Sequence, residues 1–200
     1  MKRMGIILSL CVLLGACATL KTSSEFIARG NGYLVDGNVQ EAIKHFDKAI
    51  ALNSNNMDAY QARGMAYYIN GNYKESAEDF LTAIKANTND SNLYTAYAAA
   101  AAASKDYANA LQALEFAAQI NPEKPEIYFS RANIYYLLGK YDLAVQDYSL
   151  LLGAYPAAEV FNARAAALIK MGKPDLARAD LETARSGKYP EALSEYAQAK

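Results

Sequence analysis

The chain has a single histidine, His45, and only two cysteines, Cys11 and Cys17. So thin a supply of the usual ligands and nucleophiles leaves no metal-ligand spacing, and no glycine-rich phosphate loop is present either. The carboxylates are scattered as they are on solvated helix surfaces. No enzymatic activity, no cofactor, no metal and no small-molecule substrate is therefore expected. Charge of one sign is also lacking. Twenty basic residues stand against 21 acidic ones, a formal net charge of -1, which leaves no basic footprint for a nucleic-acid partner. The apolar run at 6–14 is shorter than the roughly 20 residues that a membrane-spanning helix requires.

That run has a different use. Lys2 and Arg3 precede it, and a short basic patch followed by a greasy stretch is the layout of a secretory signal. Leu14-Gly15-Ala16-Cys17 then resembles the bacterial lipobox, in which small residues precede a cysteine that is lipidated and becomes the new N-terminus. Cys11 does not fit that position, because bulky Leu10 precedes it inside the apolar stretch. The resemblance implies that 1–16 is a signal peptide and that 17–22 is a lipidated cysteine with a short tether. Three acyl chains on Cys17 would make attachment effectively permanent, at about 0.8 kcal/mol per buried methylene. Ala18 is not the aspartate associated with inner-membrane retention, so the outer membrane, facing the periplasm, is expected ahead of the inner one. Cleavage would remove two basic residues and no acidic one, leaving 18 against 21 and a charge of -3. It would also remove Cys11 and leave no pair of thiols for a disulfide. A chain of this length can bury a core without such staples.

Beyond the signal, a fixed period decides the architecture. Phe26, Tyr60, Tyr94, Tyr128 and Phe161 recur at steps of 34, 34, 34 and 33 residues. Four residues after each comes a small one: Gly30, Gly64, Ala98, Ala132 and Ala165. Gly37, Gly71, Lys105, Gly139 and Gly172 follow at the turn, then Ala42, Ser76, Ala110, Ala144 and Ala177, then Phe46, Phe80, Leu114, Tyr148 and Leu181. Each unit reads as two helices around a turn. Asn38 with Glu41 and Asn72 with Glu75 have the spacing of a helix-capping pair. Pro122 and Pro156 fall at unit boundaries, and Pro174 starts a helix, where proline is tolerated.

The spacing aromatic, small, turn, small, large resembles the tetratricopeptide repeat over 23–191. The resemblance implies an all-α, right-handed superhelical solenoid of five helix-turn-helix units, at about 23–56, 57–90, 91–124, 125–157 and 158–191. After Pro190, the helical spacing of Leu193, Tyr196 and Ala197 predicts a short capping helix at 192–200. No unit of such a solenoid buries its apolar face alone, so stability comes from stacking.

Arg63 with Asp79, Arg131 with Asp147 and Arg164 with Asp180 recur at a sixteen-residue step, and Arg29 with His45 shares it. In the third unit both members change, to Tyr97 and Ala113. These pairs read as intra-unit struts, partly exposed and worth no more than about 1 kcal/mol each. Of the sixteen tyrosines, eleven (33, 60, 67, 73, 94, 97, 107, 128, 135, 141 and 148) fall on packing positions and are expected in the core.

By the same resemblance, each first helix lines a concave groove. Its lining runs through Ile27, Asn31 and Leu34; Gln61, Met65 and Tyr68; Thr95, Ala99 and Ala102; Phe129, Asn133 and Tyr136; Asn162, Ala166 and Ile169. Asn31, Met65, Tyr68, Phe129, Asn133, Tyr136 and Asn162 are the candidate binding residues, with the alanine run 98–103 leaving a hollow between aromatics. Asn31 matches one asparagine position of carboxylate-gripping relatives, but Ile27, Ala62, Asn92 and Ala96 stand at the others, so a grip on a C-terminal carboxylate is not expected. Architecture and anchor together are similar to the tetratricopeptide lipoproteins of bacterial outer membranes, which serve barrel assembly, secretin assembly or the docking of peptidoglycan enzymes. The expected role is an adaptor for a protein or peptide of the cell envelope, held at the membrane by its lipid. The alternative is a structural lipoprotein that associates with itself.

Overall fold

The computed structural model describes residues 22–188. The signal segment 1–16, Cys17, the tether up to residue 21 and the capping helix expected at 192–200 lie outside the described residues. Ten helices fill the rest: α1 (Ser23–Val35), α2 (Val39–Leu52), α3 (Met57–Ile69), α4 (Tyr73–Ala86), α5 (Ser91–Ala103), α6 (Tyr107–Ile120), α7 (Pro125–Leu137), α8 (Tyr141–Ala154), α9 (Ala158–Lys170) and α10 (Pro174–Ser186). There is no strand among the described residues. Successive helices pack as pairs, α1 on α2 through α9 on α10, and the second helix of each pair packs on the first helix of the next.

The core follows from that stacking. Ala42, Ile43 and Phe46 of α2 cluster with Ala66 of α3, and Phe80, Ala83 and Ile84 of α4 with Leu93 and Ala100 of α5. Leu114 and Ala117 of α6 join Ile127 and Ile134 of α7, and Tyr148, Leu151 and Leu152 of α8 join Val160 and Phe161 of α9. Each pair thus completes its burial on its neighbour, and the molecule is an all-α solenoid.

The small residue of the first helix is what admits the large residue of the second. A Cβ on Gly30 would lie 2.4 Å from Phe46 Cε1, and Phe46 itself is fully buried. Gly32, two residues on, has nothing within 4 Å of its would-be Cβ. Gly30→Ala should therefore destabilise by about 1 kcal/mol as overpacking outweighs helix propensity. Gly32→Ala should stabilise by roughly 0.5–1 kcal/mol. Paired thermal melts check both signs.

All five helix pairs turn through the same C-cap. Gly37 N–H donates to the Leu34 carbonyl and Asn38 N–H to the Tyr33 carbonyl, and the pattern repeats at Gly71, Lys105, Gly139 and Gly172. This closure needs a left-handed residue. The four glycines adopt φ of 72–83°, and Lys105 is forced to 68°. A lysine Cβ in that region costs roughly 1–2 kcal/mol, partly offset by the looser unfolded chain of glycine. Lys105→Gly should raise stability by about 1 kcal/mol, read as a melting shift of about 2–4 °C.

Asn38 and Asn72 do occupy N-cap positions, but neither side chain accepts from the helix backbone. The Asn72 amide instead donates to Glu75 Oε1 at 3.3 Å and accepts from Asn70. Side-chain caps are made by Thr22, Asp90 and Asp106. Of the eleven tyrosines placed in the core, only Tyr148 is buried and the other ten are half-buried. A phenol favours this position, ring against the helices and hydroxyl toward water. Leu181 is 44% exposed, unlike its buried counterparts in the first four pairs, because among the described residues no further helix stacks on α10.

Candidate functional site

The struts are more deeply set than their spacing implied. Arg63 grips Asp79 through Nε and Nη2, both at 2.8 Å, and Arg131 grips Asp147 at 2.8 and 2.7 Å. Arg164 repeats the fork on Asp180 at 2.8 and 2.7 Å. The aspartates are only 5–6% exposed. Aromatic rings flank the guanidinium groups, Tyr60 and Tyr67 at Arg63, Tyr128 at Arg131 and Phe161 at Arg164. Hydrogen bonding to Asp79 holds Arg63 well above the ordinary arginine value, and Asp147 shifts Arg131 the same way. Their arginines stay 20–23% exposed, so the pairs are partly exposed as expected, but each carboxylate is buried and held by two hydrogen bonds, which makes its removal cost more than about 1 kcal/mol.

Spacing within units missed a further link. Arg63 Nη1 also donates to Asp47 Oδ1 of α2 at 2.7 Å, and Arg164 Nη1 to Ser149 Oγ of α8 at 3.0 Å. The first helix of one pair is thereby tied to the second helix of the pair before. The sign was there in Asp47, sixteen residues before Arg63. Arg29 and His45 line one cleft with Gly32, Tyr33 and Asp36, and the His45 ring stacks on Tyr33 at 5.0 Å.

Along the first helices, Asn31, Met65, Tyr68 and Asn162 are exposed, Met65 by 46% and Tyr68 by 37%. Phe129, Asn133 and Tyr136 are half-buried. Tyr68 meets Tyr73 edge-on at 5.4 Å, and Tyr136 meets Tyr141 at the same distance. Both rings are thus braced by the first residue of the following helix. Phe129 leans on Tyr148 at 5.9 Å, and Asn133 Oδ1 accepts from the Tyr148 hydroxyl at 2.5 Å. Burial pushes that hydroxyl up to about 12, so it stays a donor at any physiological pH. One half of the Asn133 amide is therefore committed to the fold, and its amino group remains for a ligand. In the alanine run, Ala98, Ala100 and Ala101 are buried against neighbouring helices while Ala99 is exposed. The run thus serves close packing on one face and leaves an unfilled strip on the other.

None of the fifteen positions assigned to the groove bears a charge. Among the described residues no group of three or more His, Cys, Asp or Glu is placed to hold a metal ion. No helix among them is long and apolar enough to cross a membrane.

A family model described as tetratricopeptide repeat matches residues 4–152. Among similar solved structures, a crystal structure of MamA has a TM-score of 0.74 at 20% identity, covering 78% of this chain and 92% of that one. A tetratricopeptide repeat protein from Parabacteroides merdae has a TM-score of 0.75 at 19% identity, covering 92% and 72% respectively. YrrB, described as a TPR protein with an unusual peptide-binding site, has a TM-score of 0.69 at 21% identity, covering 88% and 91%. At these identities the likeness is one of fold. No curated protein matches the chain.

Proposed function

Because the chain belongs to the tetratricopeptide repeat family, a family of protein-interaction scaffolds, we propose that it is a lipid-anchored adaptor holding an uncharged segment of a cell-envelope protein along its first helices. The observation that carries this reading is the groove lining itself, apolar and amide-bearing at fifteen positions without one ionisable carboxylate, ammonium or guanidinium. Such a surface gives nothing to a charged ligand and suits a partner segment whose side chains are apolar and whose backbone takes hydrogen bonds from amides. Asn31, Asn133 and Asn162 supply those amides, and Met65, Tyr68, Phe129 and Tyr136 the apolar contacts. The peptide-binding site named in the description of YrrB supports a peptide ligand for this fold.

The anchor rests on Leu14-Gly15-Ala16-Cys17 and on the basic and apolar segment before it. Radiolabelled palmitate is expected to enter the wild-type protein and not a Cys17→Ser variant. Equal labelling of the two would remove the anchor, and with it the outer-membrane, periplasm-facing location. The adaptor reading also predicts a monomer by light scattering at micromolar concentration. A concentration-dependent oligomer that Tyr68→Ala with Tyr136→Ala dissociates would favour the self-associating alternative.

A further inference from the structure

The third helix pair and the helix before it depart from the ionic pattern at three linked positions. Where Asp47, Arg63 and Asp79 form one chain of ionic contacts, the same sixteen-residue steps place Leu81, Tyr97 and Ala113. The charges are removed together, and at the α6 position the smaller Ala113 stands where its counterpart in the second pair is an aspartate. A trough opens there between α4 and α6, with α5 as its floor. It consists of two adjoining cavities of about 330 and 300 Å³ that share Leu81 and Tyr97.

The trough has two chemically distinct ends. At one, Leu81, Ile84, Tyr94, Tyr97 and Phe116 form a mainly apolar, uncharged lining that Asn109 and Gln112 interrupt, with Phe116 packed 5.6 Å from the Tyr94 ring. Phe116 is nevertheless 43% exposed and Leu81 39%, a large apolar surface on the outer helices. At the other end stand Lys74, Glu78 and Asp106, an acidic surplus of one. The Asp106 carboxylate accepts from the Asn109 amide and backbone but keeps lone pairs for another donor. From Lys74 to Ile84 the trough follows about 15 Å of α4, close to three helical turns.

We propose that this trough is a second docking site, which takes an amphipathic helix of a partner protein. Its apolar face lies over Leu81, Tyr97 and Phe116, and a basic residue faces Glu78 and Asp106. Charge complementarity selects that occupant, since an acidic mouth beside an uncharged floor matches a leucine-type stripe with a lysine or arginine at its edge. The site is separate from the groove of the first helices. On α5 it uses Tyr94, Tyr97 and Ala101, whereas the groove uses Thr95, Ala99 and Ala102, on a different face at 3.6 residues per turn.

The protein supplies its own control. Tyr97→Arg with Ala113→Asp installs the strut found in the second, fourth and fifth pairs, so the fold should persist while the trough gains charge and loses its apolar floor. The probe is a fluorescein-labelled helical peptide of about 18 residues with a leucine stripe and one lysine beside it, titrated by anisotropy. Wild-type protein should bind it saturably, and the strut variant at least tenfold more weakly. Phe116→Ser, at an already exposed position, should weaken binding severalfold, as should replacing the peptide's lysine by glutamate. Absence of saturable binding by the wild type, or wild-type affinity in the strut or Phe116→Ser variant, would overturn the proposal. So would loss of binding in Tyr68→Ala with Tyr136→Ala, which would put the peptide in the groove. A wild-type dimer that the strut variant dissociates would make a second copy the occupant, and would overturn it as well.

Discussion

Asp147→Ala is expected to destabilise the protein by about 3 kcal/mol, because it leaves the Arg131 guanidinium half-enclosed without its bidentate partner. The carboxylate is 6% exposed and accepts two hydrogen bonds of 2.8 and 2.7 Å. A thermal melt should fall by about 6–12 °C. Asp175, whose side chain is 90% exposed and 3.7 Å from Arg178, gives the contrast, and its replacement by alanine should leave the melt unchanged. The third helix pair suggests a rescue, since Tyr97 and Ala113 occupy the two strut positions there without any charge. Arg131→Tyr with Asp147→Ala should therefore lose less stability than Asp147→Ala alone, a non-additivity that identifies the orphaned cation as the cause. A loss below 1 kcal/mol in the single variant would return the pair to the status of a surface strut.

Replacing Tyr68 and Tyr136 together by alanine is expected to weaken partner binding about thirtyfold, or about 2 kcal/mol. Both rings are held edge-on by a tyrosine of the next helix, 5.4 Å away in each case. That bracing fixes their rotamers before a partner arrives, so little side-chain entropy remains to be lost on binding. The double variant should keep its helical content, measured by circular dichroism, because the second helices hold their places through Phe80 and Tyr148. A variant that folds normally and still binds at wild-type affinity would move the site off this face.

The solenoid was legible in the sequence for a physical reason. Each pair needs the same small residue opposite the same large one, as Gly30 needs Phe46, so the pattern must repeat wherever the geometry repeats. Turn positions were legible for the same reason, and Lys105 stands out because the C-cap demands a positive φ whatever residue fills it. What spacing cannot give is depth. Asp79 and Asp147 look like surface carboxylates until the rings of Tyr60, Tyr67 and Tyr128 are seen around their arginines. Nor does spacing decide between rival polar partners, as at Asn72, whose amide is drawn to Asn70 and Glu75 instead of to the helix backbone. At the fifteen candidate lining positions, the uncharged character was readable residue by residue. The commitment of Asn133 to the Tyr148 hydroxyl was not, because it joins two helices fifteen residues apart. The trough was half visible in Tyr97 and Ala113, but the third member, Leu81, belongs to the preceding pair and emerged only once Asp47 was seen on Arg63.

A photocrosslinking residue placed at Met65, on α3, and separately at Arg178, on α10, with each full-length variant irradiated in intact cells, tests the adaptor role most directly. A product of one envelope protein joined to this chain is expected from position 65, identified by mass spectrometry, and none from position 178. No product from position 65, or the same product from both positions, would contradict that role.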